Sequence, residues 1–391
     1  MDKLVYLVYP LLLLLVLWNC KLFGPKKWNE ECFSLRQMKA VQGFAALGIV
    51  LHHIGQKTCA SWLPKWQIIP GLEQFVPIGY LLVSIFLFCS GYGLYKSYHT
   101  KENYLQGFIV KRILPVVVSG YIVSFMYFIG RILVKERMSA GKAICYLTGI
   151  KLCNTNGWFV YALPLLYLAF YIAFKLFRKK EWLAILFVAL VILIYDMVGT
   201  KLDHNDWIMC GEWWYNSMHA FLVGLLFAKF EQPLTKHIRK YYVVYLPLAL
   251  LLFIPLFITG EVVMGVFSYY GESFGAKDVV FRRWVCLIAQ VAISIDYLCI
   301  VWLVGMKLRI GNKVLAFFGS ITLELYLVHG FFVELFSRSF LGSQKPVWFC
   351  SNVALYIVIV LGISIPLAIL LKKIVGLLPT GEKSLKHHGR E

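Results

Sequence analysis

The stretch that decides the fold is Arg36-Gln-Met-Lys-Ala-Val-Gln-Gly-Phe-Ala-Ala-Leu-Gly-Ile-Val-Leu-His-His-Ile-Gly-Gln56. It is apolar and long enough to enter a bilayer as a helix. Because each residue turns a helix by about 100°, Lys39, Gln42 and His53 are predicted to share one face, while His52 points elsewhere. An imidazole at membrane depth is costly, so we expect His53 to have a function.

The composition predicts a membrane protein. Hydrophobic residues make up 60% of the 391 residues and charged residues only 15%, whereas soluble proteins have about 45–50% and about 25%. The formal net charge of +19 comes from lysines and arginines in short loops between apolar runs, where the rule for membrane topology places them. Membrane lipids are therefore expected as partners, and nucleic acid is not.

Eleven apolar segments approach the length of about 17–25 residues that a spanning helix needs. They cover residues 4–20, 38–56, 76–95, 113–134, 157–177, 182–199, 213–230, 241–263, 284–306, 314–336 and 348–371. We therefore expect an all-α, polytopic transmembrane helix bundle of about 11 helices. The first segment has no small-x-small cleavage pattern behind it, so we expect a retained helix rather than a signal peptide.

The basic residues predict the orientation in the membrane. If the N-terminus is outside, the connections on the inner side carry the larger share of the 39 lysines and arginines, as the positive-inside rule requires. The C-terminus is then cytoplasmic, and His53 lies toward the outer face. The absence of organelle-targeting signals favours the plasma membrane of a bacterium.

The segment from Val41 to His53 resembles the first core helix of the acyltransferase 3 family, integral membrane enzymes that acylate glycans and other surface molecules. In that family a cation precedes an essential histidine by eleven positions, and His53 occupies the position of that histidine. This chain departs from the pattern because Gln42 occupies the position of the cation. Lys39, one turn earlier on nearly the same face, is expected to substitute for it.

The family has a ten-helix core, so the resemblance implies a division of the chain into three parts. Residues 1–35 would form an extra N-terminal transmembrane helix and a cytoplasmic linker. Residues 36–373 would form the acyltransferase 3-like membrane domain, and residues 374–391 a polar cytoplasmic tail.

Two further stretches resemble family motifs at the cytoplasmic side. Phe86-Leu-Phe-Cys-Ser90-Gly91-Tyr92 resembles the F-F-x-L-S-G-[FY] signature, and Phe108-Ile-Val-Lys111-Arg112 resembles the start of a basic F-x-x-[KR]-R stretch. Guanidinium and ammonium groups there can bind the phosphates of coenzyme A. The resemblance thus implies a donor site made of Lys39, Gln42, Ser90, Gly91, Lys111 and Arg112. The alternatives are close helix packing for the small residues and a membrane-anchoring role for the cations.

A stretch near the C-terminus resembles the family pattern G-x-x-S-[LY]-x-[IL]-Y-[LI]-x-H, and it contains Glu324, Tyr326 and His329. His329 is expected at a depth like that of His53, so that the two histidines face one cavity. Glu324 lies about 140° around the helix from His329. We therefore expect Glu324 to orient a histidine or a cation on a neighbouring helix.

Three residues near the predicted outer face are candidates for acceptor binding: Trp158, His219 and Tyr326. An aromatic ring can stack on a sugar, and polar groups next to it can bind sugar hydroxyls. The alternative for Trp158 is an ordinary place in the aromatic belt at the membrane interface.

The resemblance implies a membrane O-acyltransferase of the cell envelope. Its donor would be cytoplasmic acyl-CoA, most often acetyl-CoA, which is a co-substrate and not a bound cofactor. Its acceptor would be a hydroxyl of an extracellular or lipid-linked glycan, such as an exopolysaccharide. His53 would be the general base or a transient acyl carrier, and His329 would orient the acceptor or support proton transfer.

The alternative is a transporter or flippase for a polysaccharide intermediate, which would share the many helices and intramembrane polar groups but would not need coenzyme A. No metal is expected, because the cysteines and histidines lack the spacing of metal ligands. The sequence leaves the oligomeric state open, with a homo-oligomer as one option.

Overall fold

A computed structural model of the chain describes residues 3–203, 207–267, 277–342 and 346–378. A short 3-10 helix precedes α1 and a π-helical turn, Ile109–Ile113, precedes α4. The helices are α1 Val8–Leu17, α2 Leu35–Thr58, α3 Gly79–Thr100, α4 Leu114–Leu133, α5 Ala140–Leu147, α6 Phe159–Leu176, α7 Glu181–Leu202, α8 His219–Lys240, α9 Tyr242–Val266, α10 Val279–Gly305, α11 Lys313–Ser320, α12 Thr322–Phe336 and α13 Val353–Val375. The polar tail predicted over 374–391 lies largely outside the described residues.

The fold is an all-α, polytopic membrane helix bundle, as the sequence predicts. Each of the eleven predicted segments overlaps a helix, and the short α5 is an addition. Within the described ranges, six helices are long and apolar enough to cross a membrane, and α11 with α12 makes a seventh if that bent pair is one span.

The helices divide into a lipid-facing set and an interior set. α9 is very apolar, yet it buries only three residues, Ala249, Gly260 and Met264, so most of its apolar surface lies on the outside of the bundle, as expected for a helix in lipid. In contrast, α2 buries more than half of its residues and carries polar groups among them, including Gln37 and His53. Polar side chains are tolerated at membrane depth where they face protein or a cavity, and α2 is therefore the helix around which the site is built.

Glycines let the interior helices pack with their backbones in contact. A Cβ atom at Gly43 of α2 would overlap the carbonyl oxygen of Leu315 in α11, and one at Gly319 of α11 would overlap the carbonyl oxygen of Lys39. The same relationship joins α3 to α8, where Gly91 lies against the Phe221 carbonyl. Such close packing is how membrane helices associate without a hydrophobic driving force.

A sharp bend separates α11 from α12. Asn312 caps the start of α11, because its Oδ1 accepts hydrogen bonds from the backbone N–H groups of Val314 and Leu315, at 2.7 and 3.3 Å. The axes of α11 and α12 differ by 79° across the break at Ile321. This bend directs α11 against the start of α2 and lets α12 run beside the later part of α2.

A small antiparallel ladder fixes the connections at the end of the bundle where α2 begins. Cys20–Leu22 (β1) pairs with Leu308–Ile310 (β2). The Asn29 side-chain amide donates to the Gly305 carbonyl at 2.8 Å, and the Lys307 ammonium donates to three backbone carbonyls of the segment before α2. The N-terminal helix is thus tied to the connection between α10 and α11.

Candidate active site

A cavity of about 600 Å³ opens at the end of the bundle where α2 ends and α3 begins. Its wall mixes imidazole, carboxyl, amide, hydroxyl and indole groups with a few apolar side chains. The polar and aromatic residues that line it are His52, His53, Gln56, Lys57, Trp62, Tyr80, Asn156, Trp158, Glu212, Trp213, Asn216, Ser217, Gln290, Tyr326, Glu334 and Ser339. Such a wall suits a ligand that is rich in hydroxyl groups.

His53 and His329 form a direct contact between α2 and α12. His53 Nδ1 lies 2.7 Å from His329 Nε2, and the two rings stack nearly parallel, with 4.9 Å between their centroids. His53 lines the cavity, whereas His329 is fully buried behind it. The structure therefore brings the two predicted histidines together, and His53 is the one that faces the cavity.

The hydrogen bonds of the pair define its tautomers. His329 Nδ1 lies 2.8 Å from the Leu325 carbonyl oxygen, which can only accept, so this nitrogen carries the proton. In the neutral ring His329 Nε2 is then an acceptor, and His53 Nδ1 must donate to it. That leaves His53 Nε2 without a proton, which is the state that a general base requires.

Two of the predicted acceptor-binding residues adjoin His53. The Tyr326 ring lies 6.3 Å from the His53 ring, centroid to centroid, and its hydroxyl donates to the Asn156 carbonyl at 2.7 Å. Trp158 is buried in the cavity wall beside them. This hydrogen bond joins Tyr326 on α12 to the turn before α6, beside His53.

His219 does not line the cavity. Its Nε2 lies 2.9 Å from Oδ2 of Asp196, a fully buried carboxyl of α7. The prediction grouped His219 with Trp158 and Tyr326, but the structure places its ring against Asp196, in a contact between α7 and α8. The sequence does not reveal this partner of Asp196.

His52, which is predicted to lie off the face of Lys39, Gln42 and His53, also contributes to the site. Its Nδ1 donates to the Phe75 carbonyl at 2.9 Å, and its ring lies 5.2 Å from the His53 ring. It lines the same cavity.

Glu324 lies away from the histidine pair. It does not line the cavity, and the charges that act on it are those of Lys372 and Lys39. Lys39 in turn lies within electrostatic range of Arg112 and Cys89. The structure therefore assembles a second group of charged residues, which we call the basic end, near the start of α2.

The other predicted donor residues lie on the helices around the basic end. The Arg112 guanidinium packs over the Tyr104 ring at 5.8 Å, and the Ser90 side chain lies beside Tyr167. Lys111 is exposed, with its side chain against Gly107. Both basic residues belong to the π-helical turn before α4, a distortion that often marks functional sites.

Gln42 and Gly91 complete the set of predicted donor residues. Gln42 is half-buried on α2, one turn from Lys39. Gly91 is occupied by helix packing, since the Phe221 backbone covers its Cα. Gly91 therefore lies in a close helix contact, which is the alternative to donor binding that the sequence leaves open for the small residues.

Several cavity residues carry little functional signal in the sequence. Lys57, Glu334 and Gln290 are polar residues within or beside apolar runs, and that is the only signal that marks them. Trp213 lies in a loop where interfacial tryptophans are common. Among the described residues, no group of three or more histidine, cysteine or acidic side chains could hold a metal ion.

A buried imidazole pair in a polar cavity, inside a multi-pass helix bundle, defines a membrane protein equipped for acid–base chemistry. The family model described as an acyltransferase domain matches residues 35–373. The chain therefore belongs to the acyltransferase 3 family, and its general activity is that of a membrane acyltransferase. Comparison with curated proteins and with solved structures finds no match.

Proposed function

We propose that this protein is a membrane O-acyltransferase that moves an acyl group from acyl-CoA to a hydroxyl of a glycan, with His53 as the general base. The single observation that carries the proposal is the hydrogen-bonded pair of His53 and His329 at a polar cavity. The pair leaves His53 Nε2 as a proton acceptor in the cavity wall, and family membership supplies the class of reaction.

The chemistry needs one proton acceptor and one positioned carbonyl. The acceptor hydroxyl attacks the thioester carbon as its proton passes to His53 Nε2. The C–O bond forms, the C–S bond breaks, and the departing thiolate takes the proton from His53 to give free coenzyme A. His329 accepts the hydrogen bond of His53 Nδ1–H, which orients the ring and stabilises the imidazolium that forms.

The basic end is our proposed site for the phosphates of the donor. Lys39 has two further cations, Arg112 and Lys372, and one carboxyl, Glu324, within electrostatic range. Lys39 and His53 are 14 residues apart on α2, which is about 21 Å along the axis at about 1.5 Å per residue. An extended pantetheine arm that starts at the basic end would carry the thioester toward His53.

The proposed orientation follows from the same two sites. The lysines and arginines favour a cytoplasmic basic end, which is the side where acetyl-CoA is found. The cavity then opens to the outer face of a bacterial plasma membrane, where extracellular or lipid-linked glycans are available. Labelling of single cysteines placed in the connections, with a reagent that does not cross membranes, tests this orientation.

The test of the function is release of coenzyme A from acetyl-CoA by the protein in nanodiscs, with crude cell-surface glycan as acceptor. Wild type should release coenzyme A and acetylate the glycan, and His53→Ala should do neither while remaining in the membrane. His237→Ala is the matched control. His237 is an exposed histidine of α8 that does not line the cavity, and its ring packs beside Tyr241 and Tyr245.

Equal activity in His53→Ala and wild type would overturn the role of His53. No coenzyme A release with any acyl-CoA, together with movement of glycan across liposomes, would instead support a transporter of a polysaccharide intermediate.

A further inference from the structure

The wall of the cavity contains, outside α2 and α12, two polar groups that nothing in the described protein satisfies. They are the carbonyl oxygen of Gln290 on α10 and the indole N–H of Trp213 in the turn Glu212–Trp214. Both side chains line the cavity. A buried polar group without a partner is destabilising, so such groups are rare unless a ligand completes them.

The packing of Gln290 defines which of its atoms is left over. Gln290 is only 1% exposed, and its Nε2 donates to Met264 Sδ at 3.3 Å. A thioether sulfur can only accept, so it holds the amide with the NH₂ group toward α9. The carbonyl oxygen is then the end that remains available as an acceptor.

Trp213 complements Gln290 in hydrogen-bonding character. The indole N–H can only donate, whereas the Gln290 oxygen can only accept. A hydroxyl group can do both, and a molecule with several hydroxyls can meet both groups at once. Carboxylate or phosphate ligands would satisfy the indole but would be repelled by the amide oxygen.

We propose that Gln290 and Trp213 form a hydroxyl-binding subsite that holds a polyhydroxylated acceptor through groups other than the one acylated. This inference rests on the proposed function, because it takes the cavity as the acceptor site. The subsite selects the acceptor and sets its orientation, while His53 acts on the reacting hydroxyl. Gln290 and Trp213 are thus specificity-determining residues.

The test measures binding and turnover separately. Binding of a panel of methyl glycosides to the protein in nanodiscs is followed by saturation-transfer NMR, and coenzyme A release from acetyl-CoA is measured on the same preparation. Gln290→Met keeps the length of the side chain without its carbonyl, and Trp213→Phe keeps an aromatic ring without its N–H. Each should weaken glycoside binding by about tenfold, the effect of one lost hydrogen bond.

Two matched controls share the features of the proposed residues except their place in the cavity. Trp214 lies in the same turn with an unpartnered indole N–H, and Ser294 lies one turn after Gln290 with an unpartnered hydroxyl, but neither lines the cavity. Trp214→Phe and Ser294→Ala should bind glycosides as wild type does. Equal weakening in the controls would overturn the subsite.

The outcomes separate this inference from the function on which it rests. Wild type that binds no methyl glycoside, yet releases coenzyme A in a His53-dependent manner, overturns the subsite and leaves the acyltransferase proposal standing. Glycoside binding that depends on Gln290 without any coenzyme A release supports the subsite and overturns the proposed reaction.

Discussion

Lys57 Nζ and Glu334 Oε1 lie 2.7 Å apart and form an ion pair that joins α2 to α12 one turn beyond the histidine pair. The second carboxylate oxygen of Glu334 accepts a hydrogen bond from the Leu341 backbone N–H at 3.0 Å. The two helices that supply His53 and His329 are therefore held together at a second point. Both members of the ion pair line the cavity.

Glu334→Gln is expected to lower the free energy of unfolding by about 1–3 kcal/mol, because Lys57 is left beside the cavity without its counter-charge. Thermal unfolding in nanodiscs measures this. The matched control is Glu31→Gln, which breaks an exposed ion pair with Arg309 at 3.1 Å and should cost about 0–1 kcal/mol. Equal losses in the two variants would show that the Lys57–Glu334 pair contributes no more to the free energy of unfolding than an exposed ion pair does.

His329→Gln should lower kcat by about 10²- to 10⁴-fold and leave the KM for the acceptor nearly unchanged. The reason is that His329 touches His53 but does not line the cavity, so it positions the base without binding the acceptor. Steady-state kinetics with glycan as the varied substrate measures both constants. A raised KM with an unchanged kcat would place His329 against the acceptor instead.

Arg112→Met and Lys39→Met should each raise the KM for acetyl-CoA by about tenfold or more, since each removes a charge-assisted contact to a phosphate. Kinetics with acetyl-CoA as the varied substrate gives the result. Lys373→Met is the control, because Lys373 is an exposed lysine of α13 that is not among the charges acting on Lys39 or Glu324. The donor site is misplaced if all three variants behave alike.

Gly319→Ala should lower both the yield of folded protein and its melting temperature. The added methyl group would overlap the Lys39 carbonyl oxygen, so α11 must move away from α2. Gly362→Ala in α13 is the control, because a methyl group there meets nothing within 4 Å. Fluorescence-detected size-exclusion chromatography after heating compares the two, and equal stability would contradict the close packing of α2 and α11.

Glu136→Gln should destabilise the protein at neutral pH but not in acid. Burial opposes ionisation of Glu136, yet hydrogen bonds and charge from Arg131 and Lys142 outweigh it and lower the pKa of the carboxyl. Because the pKa is lower in the folded state, ionised Glu136 stabilises the protein at pH values above its pKa in the unfolded state, about 4.3. This stabilisation is lost as the pH falls through the pKa of the folded state.

Melting curves at pH 7 and at pH 3–4 measure this difference, which is expected to be about 1 kcal/mol at pH 7. Glu102→Gln is the control, because Glu102 is exposed in the connection after α3. A difference between Glu136→Gln and wild type that persists in acid would show that the ion pairs are not its source.

The fold was largely predictable, because membrane-spanning helices are recognised in a sequence by their length and apolarity. The sequence also predicted α2, α3 and α8, although their polar residues leave them outside the six helices that are long and apolar enough to cross a membrane. The 79° bend at Ile321 was not predicted, because the apolar run continues across it. The Gly319–Ser320 pair that precedes the bend is of a kind found at helix kinks, and Gly319 also packs against the backbone of α2.

The site was predictable only in part. The resemblance identified His53 and His329, and the structure shows that they touch. It could not separate Glu324 from the cavity or assign His219 to Asp196, because short motifs give positions along the chain and not partners in space. Gln290 and Met264 meet across two helices whose sequences carry no shared pattern.

The packing of α11 against α2 also matters for the membrane as a barrier to ions. An enzyme that takes its donor from one side and its acceptor from the other must avoid a continuous water path between the basic end and the cavity. The backbone contact between Gly43 in α2 and Leu315 in α11 lies between those two regions and leaves no room there even for a methyl group. Under the proposed function, loosening that contact is expected to open a proton leak and to lower the membrane potential.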